Sequence, residues 1–369
     1  MRQKRSVVIF LGSVIICAWL VANFWFFFYH KLAEDGVISP VSNIFPLIGP
    51  TPLPDPVTWS LFLTGDIIPA RVTNQKMVEK NDFMWPLAQI QPILKDASLT
   101  LINLEAPLLT HCPVTNEGFK FCGDSKFAQS LENSGVDIAN LANNHSLNYS
   151  WEGILETEEH LQDVGIETTG FFSSFQSSVV SHQTENKKTI EKCNNSIYCS
   201  KLTIKYVQNI KIGFLGYNAV GQRVDRKITE AEIKAAKKQV DVLVVSVHWG
   251  KEYTHIPLPD TSLAPDNPIE LGTLFIDWGA DIVAGNHPHW VQNINWYHDR
   301  PIIYAQGNTV FDQDWSKETK RGVLVKLYFS GTTILKNQFE VVPIGVRDWG
   351  QAYILEGEDK EEVLRIFTK

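Results

Sequence analysis

Apolar residues recur along the chain in short runs bounded by Gly, Asn, Asp or Pro, the pattern of strands buried on both faces. Seven such runs predict strands: Thr58–Thr64, Ser98–Leu104, Asp137–Ala142, Lys211–Tyr217, Asp241–His248, Asp281–Ala284 and Pro301–Ala305. Between several of them the apolar spacing is helical, over Trp151–Val164, Thr229–Gln239 and Ile269–Trp278. Strands alternating with helices predict an α/β domain. Asn209 marks a hairpin turn before Lys211. From Gly322 to Pro343 the pattern alternates (Val323, Val325, Leu327, then Phe339, Val341), as expected of strands that close a second sheet.

The rhythm sets the boundaries. It holds over 58–345, is interrupted at 171–200 by a Ser-, Thr-, Asn- and Lys-rich stretch that reads as a surface insertion, and leaves 346–369 as a C-terminal tail. Ahead of the domain, residues 30–57 carry Pro40, Pro46, Pro50, Pro52, Pro54 and Pro56 with little periodicity, the composition of an extended stalk.

Ser6 to Tyr29 contains no acidic or basic side chain over about 24 positions, enough for a tilted helix to cross a bilayer. Arg2, Lys4 and Arg5 precede it, so residues 1–5 are expected in the cytoplasm, 6–29 in the membrane, and the remainder outside the cell. A cleaved signal peptide shares the basic start. Trp25, Phe26, Phe27, Phe28 and Tyr29, however, occupy the place where signal peptidase needs small residues, and suit an interfacial aromatic belt.

The composition, 44% hydrophobic and 20% charged, is that of globular material. A net charge of −8, with no basic run beyond the N-terminus, excludes a general nucleic-acid binder, because counterion release needs a basic face. Four of the five cysteines, Cys112, Cys122, Cys193 and Cys199, fall outside the expected membrane helix. In an oxidising compartment the close pairs 112/122 and 193/199 would each staple a loop, although sequence alone permits about three connectivities. Neither pair has zinc-ligand spacing.

The chemistry is concentrated where apolar runs end. Open α/β sheets bind ligands beyond the carboxyl ends of their strands. Six polar blocks fall there: Gly65-Asp66, Asn103-Leu-Glu105, Asn143-Asn144-His145, His248-Trp-Gly250, Gly285-Asn286-His287-Pro-His289 and Gly307-Asn308. Each alone is weak, since Asn favours turns and most single histidines are structural. Together they assemble Asp, Glu, Asn and several His, a mixed oxygen and imidazole set suited to two divalent ions such as Mn, Fe or Zn.

In this order the blocks resemble the CapA/PgsA family of poly-γ-glutamate capsule proteins over roughly Ser60 to Gln313. The strongest parts are Asn103-Leu-Glu105, Leu141-Ala-Asn-Asn-His145, His248-Trp-Gly-Lys-Glu-Tyr253, the run Trp278–His289, and Gly307-Asn-Thr-Val-Phe-Asp-Gln313. The resemblance implies a calcineurin-like metallophosphoesterase fold, a two-sheet α/β sandwich. It also implies site roles. Asp66, Glu105, Asn144, His248, His287 and His289 would be metal ligands and His145 the catalytic residue. Asn103, Asn143, Glu252, Asn308 and Asp312 would support them or touch substrate. Two positions depart from the pattern: Ile68 stands where phosphoesterases of this fold have a histidine, and Asn148 where capsule proteins commonly have Asp.

The expected function is assistance in synthesis, export or surface attachment of an anionic envelope polymer such as poly-γ-glutamate, alongside synthetase or export subunits. A metal-dependent phosphoesterase acting on a phosphate-containing substrate is one alternative, and a non-catalytic polymer-binding scaffold is another. Trp249 and Trp290, beside ligand blocks, are candidates to flank a polymer groove.

Overall fold

The computed structural model describes residues 57–172 and 196–369. The expected cytoplasmic residues 1–5, membrane helix 6–29 and nearly all of the stalk 30–57 lie outside them, as does the interior of the expected insertion. Among the described residues, no helix is long and apolar enough to cross a membrane.

The chain opens with β1 (Trp59–Ile67), α1 (Val72–Lys80), α2 (Gln91–Leu94) and β2 (Leu99–Leu104). Two stubs, β3 (Leu108–Leu109) and β4 (Gly123–Asp124), pair across the base of a long loop. Then come α3 (Phe127–Glu132), β5 (Ile138–Asn140), a 3₁₀ turn (Ser146–Tyr149), α4 (Ser150–Asp163) and β6 (Glu167–Phe172). Next are β7 (Ser196–Lys201), β8 (Thr203–Val207), β9 (Ile210–Asn218), α5 (Arg226–Lys237) and β10 (Val242–His248). They are followed by α6 (Pro268–Trp278), β11 (Ile282–Asn286), β12 (Ile294–Tyr297), β13 (Arg300–Ile303) and β14 (Asn308–Val310). The last elements are β15 (Arg321–Ser330), β16 (Thr333–Ile334), β17 (Glu340–Arg347), β18 (Gln351–Ile354) and α7 (Gly357–Phe367).

They form two mixed sheets. One has the order β18-β17-β15-β1-β2-β5-β6-β7, with β14 also pairing β1 and β16 pairing β15; the other runs β12-β13-β11-β10-β9-β8. Alternation along the central strands explains the layering. Leu61 and Leu63 of β1 meet Val242 and Val244 of β10 in a core between the sheets, while Phe62 turns to a second core. There it joins Met77 of α1, Leu94 of α2, Phe127 of α3 and Leu161 of α4. On the outer face of the other sheet, Leu243, Val245 and Val247 pack on Leu271, Phe275 and Ile276 of α6. The result is two facing sheets with helices on both outer faces, and strands buried on both sides read as unbroken apolar runs.

All seven predicted strands and all three predicted helices are present, with shifted ends. Asp225 and Asn267 accept hydrogen bonds from the first-turn amides of α5 and α6, so those helices begin earlier than their apolar spacing does. The turn at Asn209 is a two-residue hairpin, with Val207 pairing Ile210. Residues 346–369 are not a tail. They supply β18 and α7, and Leu355, Val363 and Phe367 enter the core between the sheets. Trp249 is not a groove residue either: it is fully buried and donates its indole N–H to Tyr304 O (2.8 Å).

Candidate metal centre

The ends of β1, β2, β10 and β11 converge on one buried cluster. Gly65 makes that possible, because a Cβ there would lie 2.0 Å from the carbonyl of Gly307. Instead Asp66 N donates to Gly307 O (2.9 Å), and Asp66 pairs with Asn308 on one side and Asn103 on the other.

Glu105, just past β2, is the centre of the cluster. It is 0% exposed, and neither carboxylate oxygen accepts a hydrogen bond. His248 Nε2 lies 3.2 Å from its Oε1, outside hydrogen-bond geometry. Two potential ligand groups share this one carboxylate: Asp66, Glu105 and His248, and Glu105, His287 and His289, with donor atoms within 4.8 Å of one another in each. The Oδ1 of Asn144 is likewise buried and without a hydrogen-bond partner.

The two histidines after β11 are held in unusual backbone. His287 has φ 98° and His289 φ 57°, left-handed conformations that cost a residue with a Cβ about 1–3 kcal/mol each. Both ring nitrogens of buried His287 lack partners. His289 Nδ1 donates to Asn308 Oδ1 (3.0 Å) and faces Asp66 Oδ2 at 3.2 Å, which leaves Nε2 for a ligand. Asn308 is fixed in that orientation by donating to Thr319 O (2.9 Å). Glu252 approaches from the rim, with Oε1 3.9 Å from His287 Nε2.

An amide network aligns the floor. Asn103 donates to Asp66 Oδ1 (2.8 Å) and its Oδ1 accepts from Asn140 (3.2 Å) and Asn143 (3.4 Å). Asn143 also donates to Leu104 O (2.9 Å) and accepts from the amides of His145 (3.2 Å) and Ser146 (3.0 Å). It shapes the turn that carries Asn144 and His145.

The electrostatics ask for a cation. Burial, with the charge of Asp66, pushes the Glu105 carboxyl well above its ordinary value. Burial also pushes Asp66 up, but the hydrogen bond and charge of His289, the charge of His248 and the Asn103 amide outweigh it and hold Asp66 below its ordinary value. For His289, burial is overcome by Asp66, Glu105 and Glu252, which raise it to about 9. Burial lowers His248 to about 4 and His287 well below the ordinary histidine value. Neutral imidazoles and an unpaired buried carboxylate are the donors a divalent ion takes, and the residues present fit one.

His145 stands beside this cluster. Its Nδ1 donates to Asn148 Oδ1 (3.1 Å), since that oxygen already accepts the Phe121 amide (2.6 Å); the neutral ring therefore presents an unprotonated Nε2. Burial, offset in part by Asn148 and reinforced by His248, His289 and Arg71, lowers it to about 4. The Phe121 ring stacks on it at 4.1 Å.

The chain matches the family described as bacterial capsule synthesis protein PGA_cap over residues 60–313, more than half its length. It belongs to that family. Among curated relatives it is 25% identical over 316 residues to the capsule biosynthesis protein CapA of Bacillus anthracis, covering 84% of this chain and 73% of that protein. It is 28% identical over 328 residues to the PGA biosynthesis protein CapA of Bacillus subtilis, covering 84% of this chain and 78% of that one. Among solved structures it is similar to a phosphatase of Mycoplasma pneumoniae, with a TM-score of 0.45 and 12% identity over 78% of this chain and 93% of that one.

Ile68, one of the two positions that depart from the family pattern, is fully buried against Ala70, Ala106, Phe121 and Phe311, an apolar plug just past the first block. Asp312 pairs with Arg71. Three residues had no assigned role. Asn286 pairs with His248 in register and has a buried, unpartnered Oδ1. Arg71 and Phe121 approach the site from a distant loop and helix start, and no local motif marks them.

Proposed function

We propose that this chain is a membrane-anchored, extracytoplasmic component of envelope-polymer assembly whose strand ends hold divalent metal ions. Its work on this reading is to assist synthesis, export or surface attachment of an anionic polymer such as poly-γ-glutamate, together with synthetase or export subunits. The observation that carries the metal centre is Glu105: a fully buried carboxylate with no hydrogen-bond donor, surrounded by His248, His287 and His289. Membership of the capsule family supports the polymer, and the uncharged run Ser6–Tyr29 after Arg2, Lys4 and Arg5 supports the anchor.

Asp66, Glu105, Asn144, His248, His287 and His289 would hold the ions. Metal bound there would supply Lewis acidity toward a phosphoryl or carbonyl oxygen and ease deprotonation of water. The chain's own residues do the rest. Asn103 and Asn308 fix Asp66 and His289, Asn143 shapes the loop of His145, and His145 offers Nε2 as a proton acceptor. That last feature favours a second reading, a metal-dependent phosphoesterase, because a neutral, oriented imidazole beside a metal cluster is placed for general-base work.

The test is made in cells that produce Glu105→Gln at the normal level in place of the native chain. Loss of surface polymer supports the proposal, and unchanged polymer refutes the role of the centre. Turnover of a generic phosphodiester by the metal-loaded chain, abolished in His145→Ala, distinguishes the hydrolase from a polymer-binding scaffold.

A further inference from the structure

Three residues beyond Ile68 the chain carries a cation that the metal centre does not use. Arg71 adopts φ 51°, a left-handed backbone disfavoured for any residue with a Cβ. Its side chain is locked. Nε donates to Asp312 Oδ1 at 3.1 Å and Nη2 donates to the same oxygen, while Asp312 Oδ2 accepts the amide of Val72 at 3.0 Å. The guanidinium lies 5.0 Å from the ring of Phe121 and 5.0 Å from that of Phe311. Each ring contacts a histidine of the centre: Phe121 stacks on His145 at 4.1 Å, and Phe311 lies 5.5 Å from His289.

Arg71 is thus one aromatic ring away from both His145 and His289, held by a device that fixes its direction. Nε, Nη2 and Nη1 each have one partner, the last being Gly118 O at 3.2 Å. Of the roughly five N–H groups a guanidinium offers, about two have no partner among the described residues. The side chain keeps 16% of its surface open to solvent. Charge makes the same point. Asp66 and Glu105 within the cluster and Glu252 at its rim are carboxyl groups that repel an anionic group, and Arg71 at the edge is the guanidinium whose free N–H groups can meet one.

We propose that Arg71 binds an oxyanion of the substrate, a phosphoryl or carboxylate group, beside the metal centre, with Asp312, Phe121 and Phe311 setting its orientation. This rests on the reading of the cluster as a metal centre that handles an anionic polymer. The planar fork suits such a group and a lysine ammonium does not reproduce it.

The test titrates inorganic phosphate, and separately glutarate, into the full chain loaded with manganese, read by calorimetry alongside metal content. Arg71→Lys is expected to keep the metal content of the native chain while binding at least one probe about tenfold or more weakly; the probe that responds identifies the phosphoryl or the carboxylate source. If that variant misfolds by circular dichroism, Arg71→Gln takes its place. Native-chain binding of neither probe at millimolar concentration, or affinities within about twofold in the variant, overturns the inference. Absence of metal from the native chain defeats the metal reading instead, and the same titrations on the metal-free chain then decide Arg71 by the same criteria.

Discussion

Phe121 stacks on His145 with ring centroids 4.1 Å apart, and Phe121 belongs to the loop that the Cys112–Cys122 disulfide closes. The disulfide is therefore part of how His145 is held, although neither cysteine belongs to the ligand group. Cys199 is also disulfide-bonded, with its partner outside the described residues.

Replacing both Cys112 and Cys122 by alanine frees a loop of sequence separation 10. The expected loss is about 2–3 kcal/mol, seen as a fall of several degrees in the thermal midpoint. Metal content should be unaltered, because no cluster residue lies in the loop. An unchanged midpoint would show that the staple adds no stability.

The Asn148→Asp variant puts a negative charge where His145 Nδ1 now meets a neutral amide oxygen. The His145 value, about 4 in the native chain, should rise by about one unit or more. Titration of the imidazole followed by nuclear magnetic resonance in metal-free protein measures it, and no rise would mean that the two side chains are not in contact.

Ile68→His places an imidazole among Ala70, Ala106, Phe121 and Phe311. A buried ring with no hydrogen-bond partner should destabilise the domain by about 1–3 kcal/mol without raising its metal content. Urea midpoint and metal analysis test both halves. Extra metal with undiminished stability would show that position 68 can still serve as a ligand.

Strand ends were legible because parallel strands buried on both faces leave unbroken apolar runs, and each run gives way to a polar block that the topology brings together with the others. The convergence of Asp66, Glu105, His248, His287 and His289 is the result. Structure with no apolar signature escaped. Helix α1 buries Thr73, Asn74 and Met77, so its inward face reads as polar, and Thr73 and Asn74 are satisfied by hydrogen bonds to Trp349 O and Asp124 N. Helix α7 buries only Val363 and Phe367, too few to mark a period in a charged segment. Arg71 was invisible for a different reason: its partner Asp312 is 241 positions away in the chain.

Glu232 of α5 gives a pH effect away from the centre. Its carboxylate accepts from Ser200 N (3.1 Å) and Tyr217 Oη (2.9 Å), yet burial outweighs those bonds and raises it from 4.5 to about 7. Between those values the folded chain binds more protons than the unfolded one, so stability falls as pH rises from 4.5 toward 7. Glu232→Gln should be more stable than the native chain at alkaline pH and about equal to it near the unfolded-state value. Denaturant midpoints across that range would contradict this if the variant and native curves stayed parallel.

The central claim is that Glu105 is the shared carboxylate of a metal centre. Its direct test is the metal content of the purified full chain and of Glu105→Gln, after equilibration with manganese, iron or zinc. About two ions per native chain are expected, with a large loss in the variant, which keeps the shape of Glu105 but not its charge. A native chain that takes up no metal, or a variant that retains it all, would rule out Glu105 as a metal ligand.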